Sequence, residues 1–471
     1  MGQSSGKNLL TPIKLIGVGV VAGLFLGAAI NSRKEQSYKT TKTYPTTGVT
    51  DLLRLAGGFA RAALRGPCSL DASLVFSNWI NDAKARHSSD NLIVNLWFTQ
   101  LLLVTGHDLS NHIMKQPPSA QSYQEGPTKV RGMSFLAPQA LTICHDQQWY
   151  RLRPYNEKVL STQENPERQQ AFLDQVRQAF AGPVSTIDDI RRCMSQTMLG
   201  IVFGRAVAPE HLAEDVQVLF GYVQNPARRI ALGRKERGRL ERFYGSLQQL
   251  WGQQGVSGQP SLLAAARRLA QEGSYSIEEL LQQIPHWMFT FTGSGTDLLF
   301  RTLAIVASRP VVREKALKEI AEKGPPDQAA TIEQLDYLEA CLLETCRLFP
   351  PVTRTFHVAP KGDVFDDTHI PAGVEIWHYF PVNHRDTTKD PNADRFQPER
   401  WLDPASNAPS AYPNLFLSGA RACPGKDLIL FICKAAIATL LQQQQVRVDS
   451  ALLSSDPLPF SFPEQEFRFK T

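Results

Sequence analysis

The segment from His286 to Ala307 places the strongest limit on how this chain can fold, because it is apolar on nearly every side. A helix with one apolar stripe can lie on a protein surface, but a helix that is apolar all round must be buried on every side. We therefore expect this segment to cross the middle of a large fold. The chain has 471 residues, of which 42% are hydrophobic and 20% charged, so it is long enough to enclose such a helix.

The rest of the chain is mostly helical by pattern, and strand-like segments appear late. Ser276–Glu279 reads SIEE, a capping box that opens an apolar run. A second apolar helix is expected from Leu428 to Leu441, and paired apolar runs around Pro371–Gly373 indicate short strands. We expect a mainly α fold with small β-sheets (α+β), in which residues 51–471 form one large catalytic domain.

The N-terminal segment differs from the rest. Residues 15–30 read LIGVGVVAGLFLGAAI, without a charge, whereas a full membrane span takes ~20 apolar residues. A short signal anchor, a cleaved signal peptide and a soluble helix all compete, but no cleavage site precedes a disulfide-rich domain, which disfavours secretion. More basic residues follow the run than precede it, so the body of an anchored protein would lie in the cytosol. We expect residues 1–30 to form a membrane anchor in the endoplasmic reticulum and residues 31–50 to form a polar linker.

Charge and cysteine content argue against two other classes of protein. The net charge of +5, without a basic block, makes nucleic-acid binding a weak hypothesis. The seven cysteines have an odd count, no CxxC pair and irregular spacing, which disfavours a disulfide scaffold or a structural zinc site.

One cysteine stands in a turn-prone run, FLSGARACPG, residues 416–425, which we call the Cys loop. A helix that starts just after Cys423 directs its free N–H groups and the positive end of its dipole at the sulfur, and both favour a thiolate. Gly419 and Gly425 would let the backbone approach a flat ligand, and Arg421 would present a fixed cation to an acidic group of that ligand. A small buried hydrophobe and a hydrolytic nucleophile remain alternatives for Cys423.

Four motifs, in order along the chain, resemble those of the cytochrome P450 family. Phe416-x-x-Gly419-x-Arg421-x-Cys423-x-Gly425 resembles its haem-binding signature, and ETCR, residues 344–347, resembles its ExxR helix motif. RFQPERW, residues 395–401, is similar to its PERF-type segment, and WYRLR, residues 149–153, matches the WxxxR of its haem-flanking helix. Each motif is weak alone, but the set is specific, and the resemblance covers residues 90–465.

The resemblance implies haem b as the cofactor and Cys423 as the axial ligand of its iron, within the cytochrome P450 fold. Trp149 and Arg153, which share one helix face, would bind a haem propionate together with Arg421. His357 is either a further propionate donor or a surface histidine. Phe416, Gly419 and Gly425 would complete the haem-contacting set.

The ExxR motif has two interpretations. Glu344 and Arg347 are three residues apart, so they share a helix face and can pair. As a surface ion pair they would contribute little stability. The resemblance implies instead a buried network that ties both residues to Arg400 and braces the Cys loop without taking part in the chemistry.

The resemblance also implies a monooxygenase, because a thiolate ligand donates electron density to haem iron and favours O–O cleavage. Most members carry an acid followed by Thr on the central helix, and this chain departs from that pattern. Counting back from Arg309-Pro310 places Gly293 in the acid slot and Ser294 in the alcohol slot, and a shift of one residue would change the assignment. The nearest acid, Asp297, follows Thr296. We expect Ser294, Thr296 and Asp297 to relay protons to bound O2.

Gly293 and Gly295, on the same helix, leave two alternatives open. They either allow close packing of the helix or mark a local opening with a groove for O2 and water.

Three functions therefore stay open: a monooxygenase; a haem-thiolate isomerase, dehydratase or peroxygenase that needs no O2 activation; and a non-catalytic haem sensor or carrier. The demand for electrons separates them. The chain has no flavin or iron–sulfur signature, so a monooxygenase would take electrons from a separate NADPH–P450 reductase. Lys426, Lys434 and Arg151 are either a basic docking face for it or a solvated surface. We expect a monomer.

The short anchor and the compact length suggest secondary-metabolite biosynthesis, such as that of a fungal pathway. The substrate is expected to be a lipophilic small molecule, such as a terpenoid, a polyketide or a fatty chain. This follows from the mostly apolar residues at the family's pocket positions. They are Met133, Phe135, Phe289, Phe291, Val352, Phe356 and Phe460.

Overall fold

The structure is a computed structural model. It describes residues 42–64, 72–96, 99–162, 165–204, 209, 211–224, 233–253, 260–273, 275–412, 414–444, 446–464 and 468–470. Residues 1–30, predicted to be a membrane anchor, lie outside the described residues. None of the described helices is long and apolar enough to cross a membrane.

Helices occupy most of the first half of the described chain. They are α1 (Val49–Leu64), α2 (Ala72–His87), α3 (His107–Lys115), α4 (Pro127–Leu136), α5 (Asp146–Leu160), α6 (Pro166–Ala179), α7 (Ile187–Phe203), α8 (His211–Gln224) and α9 (Arg234–Gly252). In the second half they are α10 (Leu262–Glu272), α11 (Ile277–Leu281), α12 (Ile284–Thr290), α13 (Thr296–Ser308), α14 (Pro310–Lys323), α15 (Ala329–Glu333), α16 (Asp336–Leu348), α17 (Phe380–His384), α18 (Ala408–Ala411), α19 (Lys426–Gln444) and α20 (Ala451–Ser454).

The strands form two small mixed sheets. They are β1 (Lys42–Thr43), β2 (Thr46–Thr47), β3 (Asn91–Asn95), β4 (Gln100–Val104), β5 (Gln124–Glu125), β6 (Arg354–Val358), β7 (Asp363–Phe365), β8 (Thr368–Ile370) and β9 (Glu375–Tyr379). The larger sheet has the order β2-β3-β4-β9-β6-β5, and the smaller has β1-β8-β7. Most of the described elements are helices and the strands form only two small sheets, which confirms the predicted mainly α fold.

The first two strands lie within residues 31–50, which the sequence analysis assigned to a linker. Strand β1 pairs in parallel with β8, and β2 pairs in parallel with β3. These ladders attach residues 42–47 to the folded body, because each strand completes the edge of a sheet.

The central helix runs without interruption from Ile284 to Ser308, although its middle turn differs from the rest. Helix α12 passes into a π-helical turn, Phe291–Gly295, and α13 follows directly. Residues along α13, such as Leu299 and Ile305, are fully buried in the main hydrophobic core. π-Helical turns occur most often at functional sites, so the position of this one within the motif region is informative.

Candidate active site

The Cys loop folds into a tight turn that leads directly into α19. A single 3₁₀ turn spans Gly419–Arg421, and the N–H of Cys423 donates to the carbonyl oxygen of Phe416 at 2.7 Å. Helix α19 begins at Lys426, three residues after the cysteine. The start of the helix therefore lies beside the sulfur, as the charge argument requires.

Cys423 combines an accessible side chain with close protein surroundings. Burial raises the pKa of the Cys423 thiol, while the N–H of Gly425 and the Arg153 cation act in the opposite direction. Cys423 is nevertheless exposed by its accessible area, whereas Cys346 and Cys433 are buried. An accessible thiol in such surroundings fits an iron ligand.

The two glycines of the Cys loop have different reasons to be glycine. Gly419 has φ +57°, and a Cβ there would lie 2.6 Å from Cα of Lys115, so the turn needs glycine to approach α3. At Gly425 a Cβ would lie 3.7 Å from Cδ1 of Leu160, an ordinary contact. The protein itself therefore does not require glycine at 425, which leaves that surface for a ligand.

Arg421, predicted to bind a haem propionate, is held by protein groups. It forms an ion pair with Glu125, donates from Nη2 to the carbonyl oxygen of Tyr123 at 2.9 Å, and donates from Nε to that of Gln116 at 3.2 Å. Both charged side chains are nearly inaccessible, at 3% for Arg421 and 7% for Glu125. Much of the hydrogen-bonding capacity of the guanidinium is therefore directed at this chain.

Two other predicted propionate donors have unused polar atoms. The indole N–H of Trp149 has no partner among the described residues, and Trp149 is largely buried. His357 is buried, its Nδ1 has no partner among the described residues, and its Nε2 lies 3.8 Å from Glu125. Buried polar groups almost always find partners, so these two atoms fit the carboxylates of haem.

Arg153, predicted to bind a haem propionate, contacts the Cys loop directly. Its Nη1 donates to the carbonyl oxygen of Ala422 at 2.6 Å, and its Nε pairs with Glu157 at 2.6 Å. Arg153 therefore fixes the residue just before Cys423, and its charge also lowers the pKa of that thiol.

A chain of polar side chains joins the Cys loop to the larger sheet. Ser418 bonds Asn414 at 3.0 Å, Asn414 bonds Ser110 at 2.9 Å, and Ser110 bonds Nδ1 of His378 at 3.1 Å. The ring of His378 meets that of His357 edge-on at 4.8 Å. These contacts set the position of the loop relative to strands β6 and β9.

Glu344, Arg347 and Arg400 meet in one buried network. Arg347 donates to both oxygens of Glu344, at 2.9 and 2.8 Å, and both residues are fully inaccessible. Arg400 reaches the same carboxylate at 3.1 Å, and the indole N–H of Trp401 donates to it at 2.9 Å. Arg347 also donates to the carbonyl oxygen of His384 at 2.6 Å.

This network contacts the chain that leads into the Cys loop. The guanidinium of Arg347 lies 5.0 Å from the ring centre of Tyr412, whose hydroxyl bonds Asp390 at 3.2 Å. The thiol of Cys346 donates to the carbonyl oxygen of Leu415 at 3.5 Å. The arrangement is that of a brace, since Glu344 and Arg347 have no exposed surface with which to contact a substrate.

The three predicted proton-relay residues lie on the π turn and the start of α13. Ser294 donates to the carbonyl oxygen of Thr290 at 3.2 Å, and Thr296 donates to that of Phe291 at 3.0 Å. Each hydroxyl oxygen can still accept a hydrogen bond, as a water relay needs.

Asp297 belongs to a separate charge cluster. Its carboxylate pairs with Arg301 at 3.2 Å, and Arg301 also pairs with Glu464 at 3.0 Å. Burial raises the pKa of Asp297, and Arg301 opposes that shift. The structure thus engages Asp297 with Arg301 and not with Ser294 or Thr296.

Gly293 and Gly295 occupy different surroundings. A Cβ on Gly295 would lie 2.6 Å from Cδ1 of Ile429 on α19, and 3.0 Å from the carbonyl oxygen of Thr290. A Cβ on Gly293 would have Phe220 as its nearest neighbour, at 3.8 Å. Close packing therefore explains Gly295, while a side chain at Gly293 would make only an ordinary contact with Phe220.

The predicted pocket residues are only partly brought together. Met133, Phe135, Phe289 and Phe291 belong to or pack against the main core, and Phe289 stacks on Phe220 at 3.9 Å.

The remaining three pocket candidates lie elsewhere. Phe356 packs against Trp377, Val352 is exposed, and Phe460 lies over the guanidinium of Arg385 at 5.3 Å.

The predicted docking face loses one of its three cations. Lys434 is only 3% exposed and pairs with Glu339 at 2.9 Å, so it is not available to a partner protein. Arg151 pairs with Glu279 but stays about half exposed, with 47% of its side chain accessible. Helix α19 turns Lys434 inward, a direction that the sequence position alone did not reveal.

Sequence reasoning missed four residues. Glu125, Ser110 and His378 belong to no motif, and no local pattern marks them. Arg354 stands between Val352 and Phe356, two predicted pocket residues, and its charge was a signal that could have been used.

Comparisons with known proteins point to the same family as the motifs of the site. The family model for Cytochrome P450 matches residues 248–471. Cytochrome P450 94C1 of Arabidopsis thaliana is 34% identical over 125 residues, 25% of each chain. Cytochrome P450 monooxygenase 91 of Postia placenta is 27% identical over 40% of each chain. Cytochrome P450 monooxygenase sphH of Aspergillus fumigatus is 32% identical over 36% of this chain and 33% of its own. The matched segments thus span a quarter to two-fifths of these relatives.

The fold extends the likeness to most of the chain. The retinoic acid-bound cyanobacterial CYP120A1 superposes with a TM-score of 0.66, covering 83% of this chain and 93% of that one, at 18% sequence identity. An identity this low shows the fold alone. The family-model match assigns residues 248–471 to the cytochrome P450 family, whose members bind haem b through a cysteine thiolate, and the likeness in fold extends over most of the chain.

Proposed function

We propose that this protein is a haem-thiolate monooxygenase that inserts oxygen from O2 into a lipophilic small molecule in secondary-metabolite biosynthesis. The observation that carries the proposal is Cys423, an accessible thiol just before the start of α19 whose surroundings act on its pKa. The Postia and Aspergillus relatives are both named as monooxygenases, which supports the class of reaction. The aromatic side chains along α12 support a lipophilic substrate.

Each residue around the site has a defined task under this proposal. Bound haem supplies the iron at which O2 is reduced. Cys423 supplies the thiolate, and the N–H of Gly425 together with Arg153 favours loss of its proton. Trp149 and His357 offer unused N–H groups to the haem carboxylates. Haem binding must release the Cys423 proton, because burial holds its pKa above the ordinary value.

The first experiment tests the iron ligand. Reduced, CO-bound protein should show a Soret band far to the red of a histidine-ligated haem, and Cys423→Ser should abolish it. Cys144→Ser is the matched control, because Cys144 is also a single thiol, buried and bonded to the carbonyl oxygen of Ala140 at 3.1 Å. A red-shifted band that survives in Cys423→Ser would assign the ligand to another cysteine.

The proton route through Ser294, Thr296 and Asp297 is also a proposal. The two hydroxyls donate to helix carbonyls and can accept from water, so either can hold a water that delivers a proton. Ser294→Ala and Thr296→Val should increase the peroxide released per NADPH while changing substrate-binding spectra little. Asp297→Asn should have the smaller effect, because Arg301 holds its carboxylate. The route is wrong if none of the three variants uncouples the reaction.

One observation favours a second candidate function, a haem-thiolate isomerase, dehydratase or peroxygenase. The acid of the central helix, Asp297, is engaged by Arg301 rather than free for proton delivery. Such enzymes need no proton relay for O2 cleavage. Turnover that depends on NADPH and a reductase supports the monooxygenase, whereas turnover with a hydroperoxide, or with no reductant, supports the second candidate.

We further propose that residues 1–30 anchor the protein in the endoplasmic reticulum membrane, with the catalytic domain in the cytosol near an NADPH–P450 reductase. The uncharged run of residues 15–30 and the basic residues after it support this topology. The full chain should stay with microsomes in a salt wash, because burial of apolar groups is insensitive to screening. A chain lacking residues 1–30 should be released and still bind haem, and loss of haem on truncation would contradict the proposal.

A further inference from the structure

Arg354, the first residue of β6, is a largely enclosed cation without a protein partner among the described residues. Three of the other enclosed arginines have acidic partners, whereas Arg385 donates to the carbonyl oxygens of Leu458 and Pro459. Arg309 pairs with Asp456 at 2.9 Å, and Arg347 and Arg421 pair with Glu344 and Glu125. A guanidinium keeps its charge at all ordinary pH values, so an unmatched one inside a protein needs an explanation.

The register of the sheet places Arg354 on a defined face. Arg354 lies opposite Tyr379, and Phe356 lies opposite Trp377, in the antiparallel pair β6–β9. Side chains alternate along a strand, so Arg354 and Phe356 share one face while His357 points to the other. The rings of Phe356 and Trp377 meet edge-on at 5.1 Å, which makes this face aromatic.

The two faces of β6 serve different neighbours. Arg421 of the Cys loop and its ion-pair partner Glu125 lie on the His357 face. On the Arg354 face, α4 begins against Phe356, where a Cβ on Gly126 would come within 2.8 Å of that side chain. Helix α4 also carries Met133 and Phe135, predicted pocket residues. Arg354 thus lies on the face of β6 that meets the start of α4 at Phe356 and Phe76 of α2 at Tyr379, and not on the face of the haem carboxylates.

The carboxylate and the hydroxyl group nearest to Arg354 on this face already have other hydrogen-bond partners. Glu375 accepts from the backbone N–H and hydroxyl of Thr128 at 2.6 and 2.8 Å, and from the indole of Trp377 at 3.1 Å. The hydroxyl of Tyr379 is bonded to Ser77 at 3.0 Å. Burial lowers the pKa of Arg354, yet the residue keeps accessible area through which a ligand can reach it.

We propose that Arg354 binds a carboxylate at one end of the substrate, so that the natural substrate is a lipophilic acid. This rests on the proposed function, of which it specifies the substrate class. The planar guanidinium donates two parallel hydrogen bonds to a carboxylate, which gives both affinity and orientation. The aromatic residues beside Arg354 accommodate the hydrocarbon portion, so the charged end of the substrate is fixed while its chain extends into the apolar site.

Equilibrium dialysis of the haem-loaded full chain against dodecanoate and methyl dodecanoate at pH 7.5 tests this proposal. Wild type should bind the acid at least about tenfold more tightly than the ester, as expected for charged hydrogen bonds. Arg354→Met, which keeps the length of the side chain, should remove that preference and leave ester binding unchanged. Arg354→Lys should keep part of it, since the charge remains but the bidentate geometry is lost. Arg191→Met is the control, because Arg191 is a half-exposed arginine paired with Asp188.

Two results would overturn the proposal. In the first, wild type shows no preference for the acid, including no binding of dodecanoate. In the second, the preference survives in Arg354→Met, and a shift of the haem reduction potential in that variant would then assign Arg354 to a haem carboxylate. If Arg354→Met does not fold, pH decides in the wild type. Affinity for dodecanoate should fall as the acid becomes protonated near pH ~4–5, while affinity for the ester stays constant, and parallel curves would reject the proposal.

The same dialysis separates this proposal from the proposed function. Dialysis needs neither O2 nor a reductant, so Arg354-dependent binding of the acid in a protein without NADPH-driven turnover would reject only the monooxygenase. Turnover of neutral lipids with no preference for acids would reject only the role of Arg354.

Discussion

Glu125 and Arg421 form a buried ion pair although 296 positions separate them in the sequence. Glu125 ends the short strand β5, and Arg421 ends the 3₁₀ turn that precedes Cys423. Burial lowers the pKa of Arg421 and Glu125 opposes that shift, so the carboxylate stabilises a cation in the Cys loop. The pair thus couples the edge of the larger sheet to the predicted cofactor site.

Glu125→Gln should leave the Arg421 charge unneutralised. Removal of one partner from a buried ion pair typically lowers the free energy of unfolding by ~3–5 kcal/mol. The haem reduction potential should also become more positive, because a net positive charge appears beside the site. Urea unfolding and spectroelectrochemistry measure the two effects. Lys129→Gln is the control: Lys129 is a partly exposed partner of the same carboxylate, at 2.8 Å, and its loss should cost less than ~1 kcal/mol. An unchanged potential in Glu125→Gln would contradict this account.

Arg347→Met should prevent stable haem incorporation. The change leaves the Glu344 carboxylate fully buried with fewer donors, and we expect a loss of ~3–5 kcal/mol in the free energy of unfolding. Haem content per chain and the urea midpoint give the readouts. Lys315→Met breaks the pair with Glu399, in which both side chains are about half exposed, and should cost under ~1 kcal/mol. Equal effects of the two substitutions would show that the buried network does not brace the fold.

Gly295→Ala and Gly293→Ala should differ sharply although the two positions are only two residues apart. A methyl group at Gly295 would meet Ile429 at 2.6 Å and a backbone oxygen at 3.0 Å, which forces the central helix away from α19 and should cost ~1–3 kcal/mol. At Gly293 the nearest atom is 3.8 Å away, and alanine should be neutral or stabilise the helix by up to ~1 kcal/mol. Thermal unfolding measures both. A tolerated Gly295→Ala would mean that α19 and the π turn can separate without loss.

Buried histidines should make the fold sensitive to acid. Burial lowers the pKa of His378 and of His384 to about 3. A histidine with a depressed folded-state pKa binds its proton first in the unfolded chain. Stability should therefore be constant above pH ~6.5 and fall as the pH drops below that value, by up to ~1.4 kcal/mol per pH unit for each such residue.

His384→Phe tests this dependence of stability on pH. Both ring nitrogens of His384 are buried without a partner among the described residues, and the ring stacks on Phe380, so phenylalanine can replace it. The variant should match or exceed wild type in urea midpoint at pH 7 and should lose less stability between pH 6.5 and pH 5. Identical pH profiles for the two proteins would contradict the assignment.

The sequence alone determined the family and most of the local architecture. The all-apolar segment from His286 to Ala307 could only be a buried central helix, because no other position satisfies a helix that is apolar all round. The Cys loop, the ExxR motif and the PERF-like segment are contiguous patterns, so their spacing could be read directly from the chain. The identity of Cys423 as the candidate iron ligand followed from such a pattern.

Only the tertiary structure decided which partners these residues take. Glu125 pairs with Arg421, and Arg301 holds Asp297, through contacts that depend on how distant elements pack. Lys434 points inward for the same reason. The partners of a charged side chain are set by three-dimensional packing, which leaves no periodic signal in the sequence. Arg354 shows the limit most clearly: its charge is visible in the sequence, but the absence of a described partner for that charge appears only once strand β6 is paired with β9.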